Sequence, residues 1–88
     1  MANYTVTILP SALRQLSALP RHDQKRIKDR IDGLAAAQHP PGARKLKGES
    51  GLFRIRCGHC RIIYSVEDVH LSVLVIRIGH RRDVYRSL

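Results

Sequence analysis

The sequence predicts an α+β fold: a small, twisted antiparallel sheet with an N-terminal helical hairpin packed on one face, in the order β-α-α-β-β-β. Three observations carry this expectation. Leucines and isoleucines recur at helical spacing through residues 13–34. From residue 52 onward the pattern turns to short alternating runs. Between two of those runs, Gly58-His59 has the composition of a tight hairpin turn, with glycine at the first central position as type II′ requires.

Taken in order, "YTVTIL" (residues 4–9) alternates and is β-branched, so it reads as a strand. "PSALRQLSAL" follows, with Leu13, Leu16 and Leu19 at helical spacing. Pro20 stands where it opens a second helix rather than interrupting the first. That helix is expected over residues 21–38, with Ile27, Ile31 and Leu34 as its buried stripe and Lys25, Arg26, Lys28 and Arg30 in solvent. The short Leu19-Pro20 link favours antiparallel packing on a sheet over a DNA-reading helix-turn-helix. "HPPGA" ends the helix, and "LFRIRC", "CRIIYSV" and "HLSVLVIRIG" then read as three strands of an antiparallel meander. The tail "HRRDVYRSL" reads as irregular or as one helical turn.

With 88 residues the chain is expected to form one domain over residues 1–88, large enough for a single two-layer core. No stretch approaches the roughly 20 apolar residues of a membrane-crossing helix. "MANYTVTILP" lacks the basic and apolar regions of a signal peptide, so a cytoplasmic protein without a membrane partner is expected. Sixteen Lys and Arg against seven Asp and Glu give a net charge of +9. So strong a field in so small a protein favours polyanionic partners: nucleic acid, ribosome or an acidic protein.

The segment "FRIRCGHCRIIY" concentrates the chemistry. A turn at Gly58-His59 pairs Cys57 with Cys60, Arg56 with Arg61, Ile55 with Ile62, Arg54 with Ile63 and Phe53 with Tyr64. Side chains alternate across a strand, so the pairing separates two faces. Phe53, Ile55, Cys57, Cys60, Ile62 and Tyr64 form the face under the helices; Arg54, Arg56, Arg61 and Ile63 form the other. Like charges directly opposite one another destabilise a sheet, and no acidic residue lies within either run to relieve them. Arginines arranged so, unless they simply fan into solvent, suit an anion, since their planar forks match phosphate oxygens. Cys-x-x-Cys with an intervening histidine falls short of a closed zinc site, which needs four ligands. A redox motif would place the first cysteine at a helix N-terminus. The two cysteines therefore read as small core residues, and no metal or cofactor is expected. Further basic residues flank the hairpin: Arg44, Lys45 and Lys47 before it, and His80 and Arg81, followed by Tyr85, after it. Gly79 is expected to let the chain bend and fold His80, Arg81 and Tyr85 back toward the arginine face.

In "KLKG", "FRIR…CRIIY" and "IGHRRDVY", and in element order over nearly its whole length, the chain resembles RelE-type toxins of the RelE/ParE superfamily, from toxin–antitoxin pairs. The resemblance implies an endoribonuclease that cuts messenger RNA in the ribosomal (30S) A site and stops translation, held in check by an acidic, RelB-like antitoxin. It carries the family's basic active-site residues onto Lys47, Arg54, Arg56, Arg61 and Arg81, and its aromatic residue onto Tyr85; Arg44 and Lys45 join Lys47 as contacts to RNA or ribosome. The implied chemistry is attack of a ribose 2′-OH on the adjacent phosphate, leaving a 2′,3′-cyclic phosphate and a 5′-OH. Arginines cannot deprotonate, so Arg54 and Arg56, where the family often has lysine, serve as cations and not as bases. Tyr85 is a candidate base or stacking ring, and His80 a candidate acid or base by the ordinary range of its imidazole. Two other readings stand beside this one: a ParE-like gyrase poison of the same fold, and a basic module that binds RNA or ribosome without cutting.

Overall fold

The computed structural model describes residues 3–46 and 51–80. Strand β1 (Thr5–Ile8) leads into helices α1 (Pro10–Ser17) and α2 (Arg21–Gly33), and then into strands β2 (Arg44–Lys45), β3 (Leu52–Cys57), β4 (Cys60–Glu67) and β5 (Ser72–His80). The five strands form one sheet in the order β1-β5-β4-β3-β2. The expected meander is β3-β4-β5, and two features were not anticipated. β1 joins β5 in parallel, from Thr5 opposite Ser72 to Ile8 opposite Val75, so the sheet is mixed. The two-residue β2 adds an antiparallel edge, with Arg44 opposite Arg54 and Lys45 opposite Phe53.

Helix α1 starts with Pro10 at its first turn, where a missing N–H is harmless, and lies across β5. The Leu19-Pro20 link is pinned by Gln24, whose Nε2 donates to the carbonyls of Leu19 (2.7 Å) and Ser17 (3.2 Å). Helix α2 stops at Gly33, short of the expected residue 38. The Gln38 amide donates back to the carbonyls of Leu34 and Ala35, both at 3.0 Å, closing the C-terminal end that a longer helix would have satisfied within itself.

Ala12 and Leu16 of α1, then Ile27, Ile31 and Leu34, pack on Ile55, Cys57, Cys60, Ile62, Tyr64, Val73, Val75 and Ile78 to form the core. Leu13, expected on the buried stripe, is 50% exposed, because Ala12 and Leu16 take the face toward the sheet. Tyr64 anchors the far side of this core. Its hydroxyl donates to the Gln38 carbonyl at 2.8 Å, and its ring stacks on Phe53 with centroids 5.7 Å apart.

Burial pushes the Tyr64 phenol up to about 12 from its usual 10.0, against a smaller opposing pull from Arg30. Burial likewise raises the Cys57 and Cys60 thiols. All three groups hold their protons more tightly folded than unfolded. Their stabilising contribution is therefore complete below the unfolded values and is lost as pH rises through the folded ones. Thermal unfolding is expected at progressively lower temperature from about pH 9 upward. The Tyr64 share is on the order of 2 kcal/mol, and Tyr64→Phe flattens the curve above pH 10. A pH-independent melting temperature between pH 9 and 12 would contradict this account of the core.

Candidate nucleic-acid interface

The hairpin β3-β4 has the register that its turn dictates. Cys57 faces Cys60, Arg56 faces Arg61, Ile55 faces Ile62, Arg54 faces Ile63 and Phe53 faces Tyr64. Gly58 has φ +63°, and His59 does not share a positive φ, the signs of a type II′ turn. A Cβ at Gly58 would stand 2.7 Å from Nη1 of Arg26, the far end of a flexible side chain that can move aside, so it is the positive φ that calls for glycine at this turn. Farther along α2, Arg30 Nη2 donates to the Arg56 carbonyl at 3.5 Å. Arg30 thus contacts the hairpin from the helix side.

The opposite side of the sheet carries the other arginines. Reading the register across four strands, one row runs Arg44, Arg54, Ile63, Arg77 and the next runs Arg56, Arg61, Gly79. Residues directly opposite share a face, so Arg44, Arg54, Arg56, Arg61 and Arg77 stand on one surface. None of them forms an ion pair with a carboxylate of the described residues. Arg61 at the centre is only 5% exposed, and its Nη1 donates to the Cys60 carbonyl at 3.3 Å. Ile63, between Arg54 and Arg77, is fully buried outside the helix-side core cluster.

Arg54, Arg56, Arg61 and Arg44 are thus brought together. Lys45 is not: opposite Phe53, it belongs to the helix-side register. His80 pairs with Cys60, also helix-side, and its exposed ring stacks on that of His59 with centroids 6.5 Å apart. Gly79, expected to bend the chain, continues β5 opposite Arg61. Lys47, Arg81 and Tyr85 lie outside the described residues. Arg77 was missed in the sequence reading. Counting alternation from Val75 puts it in the core, but Tyr64 pairs with Val75 while Ile63 pairs with Arg77. The bulge at Ile76 moves Arg77 to the arginine face and returns Ile78 to the core. The signal was present in "VIRIG": a charge where strict alternation demands an apolar residue.

Cys57 and Cys60 are buried and unbonded. Burial outweighs the cationic pull of Arg30 and Arg26 on the Cys57 thiol. They are core residues, and the described residues hold no cluster of three or more histidine, cysteine or acidic side chains fit for a metal.

A central, buried arginine without a carboxylate partner among the described residues contributes little to folding. Arg61→Met is expected to melt within about 1 kcal/mol of the wild type in thermal denaturation. A much larger loss would make Arg61 a structural residue.

Comparison with known proteins agrees with this architecture. Residues 6–85 match the family described as ParE toxin of type II toxin-antitoxin system, parDE. The toxin RelG of Mycobacterium tuberculosis is 31% identical over 84 residues, covering 94% of this chain and 97% of the relative. A putative toxin RelE1 of Methanocaldococcus jannaschii is 26% identical over 87 residues, covering 96% and 97%. The archaeal RelE–RelB complex of Pyrococcus horikoshii superposes with a TM-score of 0.80 at 27% identity, over 92% of this chain and 98% of that one. The arginine-bearing sheet under its helical hairpin therefore belongs to the RelE/ParE superfamily, and the chain is a member of its type II toxin–antitoxin toxin family.

Proposed function

We propose that the protein is a ribosome-dependent messenger-RNA endoribonuclease, the toxin of a pair whose antitoxin is an acidic, RelB-like protein. The observation that carries this reading is the arginine face, on which five guanidiniums converge without a carboxylate partner among the described residues. Cleavage by a 2′-OH passes through a crowded phosphorane-like anion, and fixed cations act where that charge develops. Arg56 and Arg61, directly opposite each other, flank the reacting phosphate, and Arg54 holds it from the adjacent row. Arginine keeps its proton, so the proton transfers belong to other groups. Tyr85, onto which the resemblance carries the family's aromatic residue, is the candidate base for the 2′-OH proton; Arg81 stabilises the charge on the leaving 5′ oxygen, which takes its proton from water. His80 is left without a proton-transfer role, because its strand position is on the helix side. The RelE–RelB complexes among similar structures support an antitoxin partner, and its acidity would offset part of the +9 charge.

A second reading has one observation in its favour: the matching family is described by ParE. On that reading the target is gyrase, and the arginine face has no reaction to serve.

Primer extension on a defined message in a purified translation system separates the two. The wild type is expected to cut only with ribosomes present, leaving 2′,3′-cyclic phosphate ends, and to be silenced by its antitoxin. Arg61→Ala is expected to lower the cleavage rate by roughly 10²–10³. Intact message together with blocked DNA supercoiling would overturn the endoribonuclease in favour of the gyrase poison.

A further inference from the structure

We propose that Arg77 is a further phosphate-binding residue, holding the phosphate of a nucleotide that flanks the cleaved linkage. The inference rests on the reading of the arginine face as an RNA site and extends that site by one strand.

Three independent features single out Arg77. The first is the bulge. A regular β5 would turn Arg77 into the core; the unpaired Ile76 re-aims it beside Ile63, in the row of Arg54 and Arg44. Bulges recur next to functional sites because they redirect one side chain without unfolding the strand. The second is an orphaned donor. Nε of Arg77 is buried and makes no hydrogen bond among the described residues. An arginine kept for structure has its buried donors satisfied, because an unmet donor has been stripped of water with nothing in return. A donor left open fits a group whose acceptor arrives with the ligand.

The third is space. Arg77, Ile78, Gly79 and His80 line a cavity of about 230 Å³ at the edge of β5, closed by Gln15 of α1 and by Ala18 and Leu19 just after that helix. The cavity exists because β1 ends opposite Val75 and leaves the last part of β5 without a strand neighbour on that side. Gln15 substitutes for the missing strand, its Oε1 accepting from the Ile78 N–H at 2.8 Å. The free edge of β5 beside Arg77 leaves room for the sugar of the nucleotide whose phosphate it holds.

Phosphate is favoured over a protein carboxylate by the layout of the face. Arg54 on β3 and Arg77 on β5 are two strand spacings apart, roughly 10 Å, with Arg56 and Arg61 in the next row. Such an array presents planar forks to several oxyanions in succession, as a nucleic-acid backbone supplies them.

The test uses the full-length protein, its Arg77→Met and Arg77→Lys variants, and a short single-stranded RNA made uncleavable by 2′-deoxy substitution. Affinity is measured by fluorescence anisotropy across salt concentrations, and stability by thermal melting. Arg77→Met is expected to weaken binding by about tenfold. It should also reduce the slope of log affinity against log salt by about 0.7, one phosphate contact on a single strand. Its melting temperature should be unchanged or higher, since the orphaned donor is gone. Arg77→Lys should restore the slope without the full affinity, because it keeps the charge and loses the fork. In cleavage, Arg77→Met should raise KM and leave kcat in place. Wild-type affinity and slope in Arg77→Met would overturn the proposal, as would a drop in melting temperature, which would make Arg77 structural. Failure of the wild type to bind the RNA, with Arg77→Met weakening only antitoxin binding, would make it a protein contact and overturn the proposal too. If the wild type binds the RNA but never cuts, the endoribonuclease reading falls while the salt slope still decides Arg77.

Discussion

The two-residue turn at Gly58-His59 is the constraint on which the rest of this structure depends. With φ +63° at Gly58 it locks β3 against β4 in one register. A slip of one residue would turn one strand over, carrying either Ile55 or Ile62 and Tyr64 away from the helices and driving either Arg54 and Arg56 or Arg61 beneath them. Either exchange takes apolar side chains out of the core and puts unpaired guanidiniums into it, so the register has no close competitor. One local choice therefore places the apolar face beneath α1 and α2 and, by the same stroke, the cations on the surface opposite. The contact of Arg30 with the Arg56 carbonyl ties it to the helix side.

The electrostatic price of that arrangement is modest in solvent. Two unit charges a few ångströms apart repel by roughly 1 kcal/mol in water, and more where water is displaced, as around the largely buried Arg61. On the proposed reading, a bound phosphate relieves this repulsion. The face is thus preorganised: its cations are held by strands rather than loops, and they have no carboxylate among the described residues to release before binding an anion. The same logic gives Arg77 its place. The bulge at Ile76 brings one more guanidinium to this surface.

What was legible in the sequence was mostly what is local. The hairpin register followed from a glycine in a two-residue loop and from strict alternation on both sides, and the stripe of Ile27, Ile31 and Leu34 followed from helical period. The parallel pairing of β1 with β5 was not legible, because it joins strands separated by more than 60 residues and depends on how the helices cross the sheet. The two-residue β2 is too short to leave a period. Helix α2 ends early as the backbone tightens after Ile31, with the Leu34 and Ala35 N–H groups donating to Ile31 and Asp32 and the Gln38 amide donating back to the Leu34 and Ala35 carbonyls, contacts that residue spacing does not show. In the candidate site, Arg54, Arg56 and Arg61 were found by alternation, whereas Arg77 was lost to a bulge and the depth of Arg61 to long-range packing. His80 was placed with the arginines on the assumption of a bend at Gly79, but β5 runs on through that glycine.

The central claim is that the arginine face, and not the helical face, receives a nucleic-acid backbone. Side-chain NMR of the guanidinium Nε–Hε groups, during titration with an uncleavable single-stranded RNA at moderate salt, tests it most directly. Shifts concentrated on Arg54, Arg56 and Arg61, with Arg21, Arg26 and Arg30 of α2 unmoved, are the predicted result. Shifts confined to the arginines of α2, with those of β3 and β4 silent, would contradict the account.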